Sequence, residues 1–114
     1  MEIKLKFSFY DHKEFVQFLN QLFYKDRDKL LLTINNIETM GIPIASRMKW
    51  TKKLGNNLYE IRSKRSTNIQ RCLYFQVIDN QYVVTNAFTK KTNKTPRREI
   101  RKAINRRNQY LKMR

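Results

Sequence analysis

The sequence predicts an α+β fold, with an N-terminal strand and an αα-hairpin packed on a small antiparallel sheet and a basic helix at the C-terminus. Three runs rich in Tyr, Phe, Val, Ile and Leu, at residues 58–64, 69–78 and 82–89, are typical of strands. Short polar breaks separate them, which favours a three-stranded meander. Apolar residues at helical spacing precede the meander, and a basic segment that starts at a proline follows it.

The first elements are a strand and a helix. Residues 3–9 alternate between apolar and polar side chains, as expected of a strand with one solvated face. Asp11, with Glu14 three residues later, resembles a capping box. Apolar residues then recur at spacings of three and four to about Tyr24, which predicts an amphipathic helix. His12 in its first turn could be a catalytic base, or simply a solvated side chain.

A second helix follows a polar joint at residues 25–28. Leucine, isoleucine and methionine at helical spacing mark it over residues 30–40, and Gly41 and Pro43 are expected to stop it. Two helices joined so closely form an αα-hairpin, which needs a surface to pack on. The predicted sheet supplies that surface.

Residues 42–53 are the least regular stretch. They hold the only tryptophan, Trp50, among basic residues that include Lys49, Lys52 and Lys53. Such a mixture can bind a phosphate chain and stack a base. A loop whose tryptophan covers the edge of the core would look the same, so both interpretations stay open. Residues 55–57 are a turn into the first central strand.

The central strands carry cations at defined positions. Side chains alternate along a strand, so Glu60, Arg62 and Lys64 share one face. Arg71 interrupts an otherwise apolar face of the next strand, which is apolar on both sides and is therefore predicted to be central. A charge in a sheet costs desolvation unless it faces water or a partner. Several charges converging on one sheet indicate a site for an anion.

The last helix starts at Thr95-Pro96, with Thr95 as N-cap and Pro96 as first helical residue. Its modest apolar stripe consists of Ile100, Ala103, Ile104 and Leu111, with Tyr110 beside it. Its other faces are densely basic. That density favours binding of RNA or of an acidic partner, although a solvated basic helix is the simpler interpretation.

Length and composition predict one domain over residues 1–114 and a cytoplasmic protein. The single cysteine, Cys72, cannot form an intramolecular disulfide, which fits a reducing compartment, and it lies in a predicted core strand. No apolar run approaches the roughly 18 residues of a membrane span. The N-terminus lacks the long apolar region of a signal peptide.

The net charge of +16 is one-sided. Residues 1–46 hold six basic and six acidic side chains, whereas residues 47–114 hold nineteen basic and three acidic ones. Such a field attracts polyanions. Nucleic acid is the leading partner class; a membrane surface, an acidic protein and a solvated basic surface without a ligand are the alternatives.

The residue inventory restricts the chemistry. One histidine, one cysteine and few acids give no usual metal-ligand set, no Ser-His-Asp triad and no Gly-rich phosphate loop, so no cofactor is expected. A cationic site could still accelerate cleavage of RNA by its own 2′-hydroxyl. The substrate then brings the nucleophile, and the protein holds the phosphate in line and neutralises the developing charge. Arginine suits that task because it can hold two phosphate oxygens.

The motifs LYEIR, RCLYF and AFTKKTNKTP followed by a basic helix resemble, in this order, those of the HigB-type branch of the RelE/ParE toxin superfamily. The resemblance covers nearly the whole chain. It implies a RelE-like fold and a cytoplasmic toxin of a type II toxin–antitoxin system that cleaves mRNA on the translating ribosome. It also implies a HigA-like helix-turn-helix antitoxin, and repression of the operon by binding of the complex to operator DNA.

The resemblance carries roles onto particular residues. Arg71 would stabilise the scissile phosphate, Arg62 would help to bind it, and Lys90 or Lys91 would neutralise the leaving group. The general base is left unassigned, because Glu60 could serve or could be a structural ion-pair partner of Arg62. The residues expected to bind RNA more broadly are Lys52, Lys53, Lys64, Arg97 and Arg98.

Two other functions fit the same sequence. A gyrase-inhibiting toxin, as in the ParE branch, would keep the fold and change the target. A nucleic-acid-binding module without catalysis would use the same basic surface, and its affinity for single strands would fall with salt.

Overall fold

The computed structural model describes residues 2–91 and 94–114, so residues 92 and 93 of the AFTKKTNKTP motif lie outside the described part. Within that part the chain forms five strands and four helices. In chain order they are β1 (Lys6–Phe9), α1 (His12–Gln21), α2 (Tyr24–Met40), α3 (Ile42–Arg47), β2 (Thr51–Gly55), β3 (Leu58–Arg65), β4 (Asn68–Ile78), β5 (Gln81–Lys90) and α4 (Arg97–Met113).

The strands form one sheet in the order β1-β5-β4-β3-β2. The predicted meander is confirmed as β3, β4 and β5, which are antiparallel neighbours, and β4 is central as expected. The sheet is mixed rather than purely antiparallel, because β1 runs parallel to β5. The α+β class with a C-terminal helix is confirmed, and the arrangement is compatible with a RelE-like fold.

The N-terminal strand is shorter than the alternation predicts. Leu5 and Phe7 are buried as expected, but Ile3 is exposed. Before β1 begins, the N–H groups of Lys4 and Leu5 donate to the carbonyl of Glu38 on α2, at 2.8 and 3.2 Å. The backbone there bonds to a helix instead of a strand, so the sheet pairing starts only at residue 6.

The break in the helical hairpin was predicted at the wrong place. Residues 25–28 are not a joint; they lie in the first turns of α2. The chain breaks instead at Leu22 and Phe23, both of which have extended backbone. The acidic residues 26 and 28 suit a helix start, because carboxylates near an N-terminus interact favourably with the helix dipole. The N-cap of α1 is as predicted, since the Asp11 side chain accepts from the N–H of Glu14 at 3.0 Å.

The stretch predicted as irregular, residues 42–53, contains α3 and most of β2. Gly41 ends α2 with φ of 89°, a conformation that favours glycine, and its N–H donates to Ile37. Pro43 then lies in the first turn of α3, where a missing N–H costs nothing. β2 was missed because it is short and its lysines give no apolar run; it forms by pairing with β3.

The two faces of the sheet are covered differently. The αα-hairpin covers one face over a core that includes Phe15, Leu30, Ile37, Ile61 and Tyr74. The other face has a smaller cluster under α4, formed by Leu58, Leu73 and Ala103 with Phe88, Ile100 and Ile104 around it. The predicted apolar stripe of the last helix is therefore confirmed at Ile100, Ala103 and Ile104, whereas Leu111 is exposed. Tyr110 also packs edge-on against Phe75, with ring centroids 5.6 Å apart.

Asp26 anchors α2 to the turn between β3 and β4. The side chain is buried, its Oδ2 accepts from Asn68 Nδ2 at 2.9 Å, and its Oδ1 lies 3.6 Å from Arg65 Nη1. The guanidinium of Arg65 also lies over the ring of Phe23, 5.2 Å from its centroid. These contacts hold the β3–β4 hairpin against the start of α2.

We expect Asp26→Ala to lower the free energy of unfolding by about 1.5–3 kcal/mol, because it removes hydrogen bonding to a buried charged group. Asp28→Ala is the matched control: its carboxylate is exposed and, among the described residues, its one ion pair is with Arg27, so a change within about 0.5 kcal/mol is expected. Urea unfolding of both variants measures the difference. Equal free energies of unfolding for the two variants would show that the contacts of Asp26 with Asn68 and Arg65 do not stabilise the fold.

Candidate functional site

Cations from three adjacent strands meet on the sheet face that carries α4. Arg62 on β3 is the direct partner of Arg71 on β4, and Lys90 on β5 pairs with Ile69, two residues from Arg71. Directly paired residues point to the same side of a sheet, so the three cationic side chains share one face. The structure thus brings together three of the four residues that the sequence singled out for catalysis.

The two arginines form a close pair. The N–H of Arg62 points away from β4, because it donates to the carbonyl of Trp50 at 2.7 Å. Arg62 and Arg71 are therefore a non-hydrogen-bonded pair, the kind in which the Cα atoms approach to about 4.5 Å. Like charges placed directly opposite each other are destabilising. The pair needs a negative charge beside it.

Glu60 supplies that charge. Its Oε1 lies 3.4 Å from Arg71 Nε and 3.7 Å from Arg62 Nε. Its Oε2 accepts a hydrogen bond from the hydroxyl of Thr95 at 2.9 Å. The carboxylate is 2% exposed and both oxygens are engaged, which is the structural ion-pair arrangement and not that of a free base. Thr95 was predicted to cap α4, but its hydroxyl binds Glu60 and the N-cap residue is Pro96.

The single carboxylate does not balance the cations around it. Burial, and then Arg62, lower the pKa of Arg71, while Glu60 opposes them. The pKa of Lys90 is also lowered, first by burial and then by Arg71, with smaller contributions from Arg62 and Lys52. Both shifts mean that the positive forms are disfavoured where they stand. An anion bound here would relieve that cost.

One hydrogen-bond donor of the Arg71 guanidinium has no acceptor among the described residues. Its Nε is buried, and within the described residues it makes no hydrogen bond, although Glu60 is near enough for an ion pair. A buried donor without an acceptor costs free energy. A phosphate oxygen is an acceptor of the kind that a guanidinium binds well.

The three side chains of Arg62, Arg71 and Lys90 form the cation cluster. Solvent reaches this cluster mainly at Arg62. The side chain of Arg62 is 35% exposed, whereas Arg71 and Lys90 are 4% and 5% exposed. The cluster is therefore a buried group of charges with one member at the surface.

The other residues proposed from the sequence lie around this group. Lys64 is exposed on the same face of β3, and Lys52, opposite Glu60, is exposed on β2. Lys53 is opposite Tyr59, so it belongs to the other face of the sheet. Lys91 is exposed just past the end of β5, and no ion pair among the described residues joins it to the cluster.

The remaining candidates are separate from the cluster. Arg97 and Arg98 are exposed in the first turn of α4, and Arg98 pairs with Glu99 at 3.6 Å. His12 is exposed, with its ring edge-on to Phe9 at 5.8 Å. Cys72 is a core residue as expected: burial raises the pKa of its thiol to about 12, which keeps it protonated and unreactive.

Replacing Lys90 with methionine tests the charge imbalance. We expect Lys90→Met to raise the free energy of unfolding at pH 7 by about 1 kcal/mol, because an apolar side chain of similar length replaces a buried charge. The pKa of Lys90 is lower in the folded than in the unfolded protein, so the unfolded state binds more protons between the two values. Wild-type stability therefore rises as pH climbs toward the ordinary lysine pKa of about 10.4, and the advantage of methionine shrinks.

Urea unfolding between pH 7 and pH 10 measures this difference. Lys91→Met is the control, since its side chain is exposed and its effect should stay within about 0.5 kcal/mol. If Lys90→Met were less stable than wild type at pH 7, the charge of Lys90 would be a net stabilising one.

Across the described residues, the structure contains no helix long and apolar enough to span a membrane.

Comparison with known proteins identifies a family. No curated protein matches the chain significantly. The model of the family described as phage derived protein Gp49-like (DUF891) matches residues 17–108, a range that starts within α1 and ends within α4. It includes all of the Arg62, Arg71 and Lys90 cluster, and Glu60 and Thr95 as well. The chain belongs to this Gp49-like family, which is a toxin-like family of type II toxin–antitoxin systems, and membership implies an antitoxin partner.

Proposed function

We propose that this protein is a toxin that cleaves mRNA on the translating ribosome, as the HigB-type branch of the superfamily does. The observation that carries the proposal is the set of three cations on three neighbouring strands around one buried carboxylate. The apolar cluster under α4 on this face does not need such a group for its packing. A phosphodiester supplies the negative charge that the group lacks.

In the proposed reaction the 2′-oxygen of the RNA attacks the adjacent phosphorus and the bond to the 5′-oxygen breaks. The products are a 2′,3′-cyclic phosphate and a free 5′-hydroxyl. A base takes the proton of the 2′-hydroxyl, the Lys90 ammonium gives a proton to the leaving 5′-oxygen, and solvent returns a proton to Lys90. Arg62 and Arg71 hold the non-bridging oxygens, whose charge increases in the transition state. Lys90 neutralises the leaving oxygen, and its lowered pKa makes its ammonium a better proton donor than an ordinary lysine.

Burial adds a condition to this mechanism. Arg62 is the member that RNA meets first, because Arg71 and Lys90 are covered in the free protein. Direct contact of the phosphate with Arg71 and Lys90 requires the surface above them to open when RNA binds. A requirement of this kind agrees with a toxin that acts only where the ribosome presents ordered mRNA.

Glu60 is not the general base in this proposal. Its oxygens are engaged by two arginines and a threonine hydroxyl, so it holds the guanidinium groups in position. The proton of the 2′-hydroxyl passes to a group that the ribosome or water provides.

The proposal includes a helix-turn-helix antitoxin of the HigA type as partner, operator DNA as a ligand of the complex, and a cytoplasmic location. A reading frame for a small helix-turn-helix protein beside the gene is the cheapest observation that supports it. Co-expression with that protein should restore growth.

We expect Arg71→Ala to abolish growth arrest, and Arg71→Lys to reduce mRNA cleavage by at least about 100-fold, because lysine keeps the charge but loses the two-point contact with phosphate. Arg101→Ala is the matched control, since Arg101 is exposed on α4 and no ion pair among the described residues joins it to the cluster. Primer extension on mRNA from expressing cells gives the readout, and circular dichroism checks the fold. Full toxicity of Arg71→Ala would contradict the proposal.

The same experiment separates the alternatives. Intact mRNA together with a DNA-damage response would indicate a gyrase-inhibiting toxin. Harmless expression of the wild-type protein, with salt-dependent binding of single strands, would indicate a binding module without catalysis.

A further inference from the structure

A basic groove adjoins the cation cluster on the outer edge of β3. It has a volume of about 390 Å³ and lies between α2, the turn before β2 and the last residues of β3. β2 pairs with β3 only up to the partners Thr51 and Ile61, whereas β3 continues to Arg65. The groove occupies the space that a longer β2 would have filled.

The lining of this groove is positive. It contains Lys29 of α2, Lys49 of the turn, and Arg62 and Lys64 of β3, and none of the acidic side chains that the structure describes lines it. The three lysines are exposed, and none of them makes an ion pair within the described part of the chain. Four cations from three segments thus surround one hollow, and Arg62 is the one whose ion pair, with Glu60, is seen among the described residues.

The backbone adds a donor to the lysines. Arg62 directs its N–H toward the β2 side, where Trp50 accepts it. Alternate residues of an antiparallel strand direct their backbone groups to the same side, so the N–H of Lys64 also points outward, beyond the end of β2. A backbone N–H directed outward beside three ammonium groups is suited to an oxyanion.

The groove also has an aromatic wall. Trp50 lines it, is half-buried and packs against the main core, so its ring is held in place. Aromatic rings stack on nucleic-acid bases regardless of sequence, which contributes about 1–3 kcal/mol per base. Asn36 of α2 is a further polar group in the lining.

We propose that this groove binds one nucleotide of single-stranded RNA next to the cleaved one. Lys29, Lys49 and Lys64 hold its phosphate, and its base lies against Trp50. Arg62 belongs to both the groove and the cation cluster, so one strand of RNA can occupy the two sites in succession. The choice of RNA as the substrate rests on the proposed function, whereas binding in the groove does not require cleavage.

An acidic protein segment is the competing occupant, since the antitoxin partner could carry one. The tryptophan wall and the continuity through Arg62 favour RNA. A chain of carboxylates would use the lysines but would gain little from an indole face.

Trp50 is the only tryptophan, so its fluorescence reports on this groove alone. The test is titration of the full-length protein with a 2′-O-methyl-RNA tetranucleotide, which cannot be cleaved because it has no free 2′-hydroxyl. We expect binding to quench the emission of Trp50. The double variant Lys29→Gln, Lys49→Gln should bind at least about tenfold more weakly, and the slope of log affinity against log salt should fall by about 0.7–1.4, for one or two lost phosphate contacts.

The matched control is the double variant Lys13→Gln, Lys112→Gln, which removes two exposed lysines of α1 and α4 that do not line the groove. It should bind the tetranucleotide with nearly wild-type affinity. Equal loss of affinity in both double variants would mean that only net charge matters, and would overturn the inference. So would quenching by octaglutamate with none by the RNA, which would assign the groove to a protein partner.

The failure of this inference can be told apart from the failure of the proposed function. Cleavage that depends on Arg71, without quenching of Trp50 by the tetranucleotide, refutes the groove and keeps the function. Quenching that depends on Lys29 and Lys49, with no cleavage of mRNA by the wild-type protein, keeps the groove and refutes the function.

Discussion

The buried carboxylate of Glu60 is the interaction on which the arrangement of this protein depends. Arg62 and Arg71 are direct cross-strand partners and would repel each other across the sheet without it. The same carboxylate accepts from Thr95, which attaches the chain just before α4 to the sheet. One acidic side chain therefore stabilises the pairing of β3 with β4, orients the guanidinium groups and fixes the approach to the last helix.

The two faces of the sheet differ in how much of their surface is covered by helices, and therefore in which side chains they can hold. The αα-hairpin buries the larger core on one face. α4 buries a smaller apolar cluster on the other face. Arg106 of α4 holds the helix in place, because its Nη2 donates to Glu14 at 2.8 Å and its Nη1 donates to the carbonyl of Thr85 at 2.8 Å. The rest of that face is thus available for charges, which a fully packed layer would have excluded.

The candidate site is held at a cost to stability. Arg71 and Lys90 are buried, their pKa values are lowered, and Glu60 offers one negative charge to three positive ones. Uncompensated buried charge is destabilising in a free protein. A bound anion compensates this charge, so the same residues that lower the stability of the free protein favour binding of the ligand. The groove beside Trp50 extends the same positive potential to the surface.

The sequence by itself determined the local patterns: the three central strands, the shared face of Arg62 and Lys64, the cap at Asp11 and the basic last helix with its apolar stripe. These depend on spacings within one segment, so they can be read from neighbouring residues. Only the tertiary structure decided that β2 and α3 exist and that Asp26 is buried. It also decided that the Thr95 hydroxyl donates to Glu60 and that Lys53 lies on the sheet face opposite to the cation cluster. Each of these features depends on a partner that is distant in sequence. The burial of Arg71 and Lys90 does too, because the register between strands and the packing of α4 cannot be predicted from the spacing of neighbouring residues.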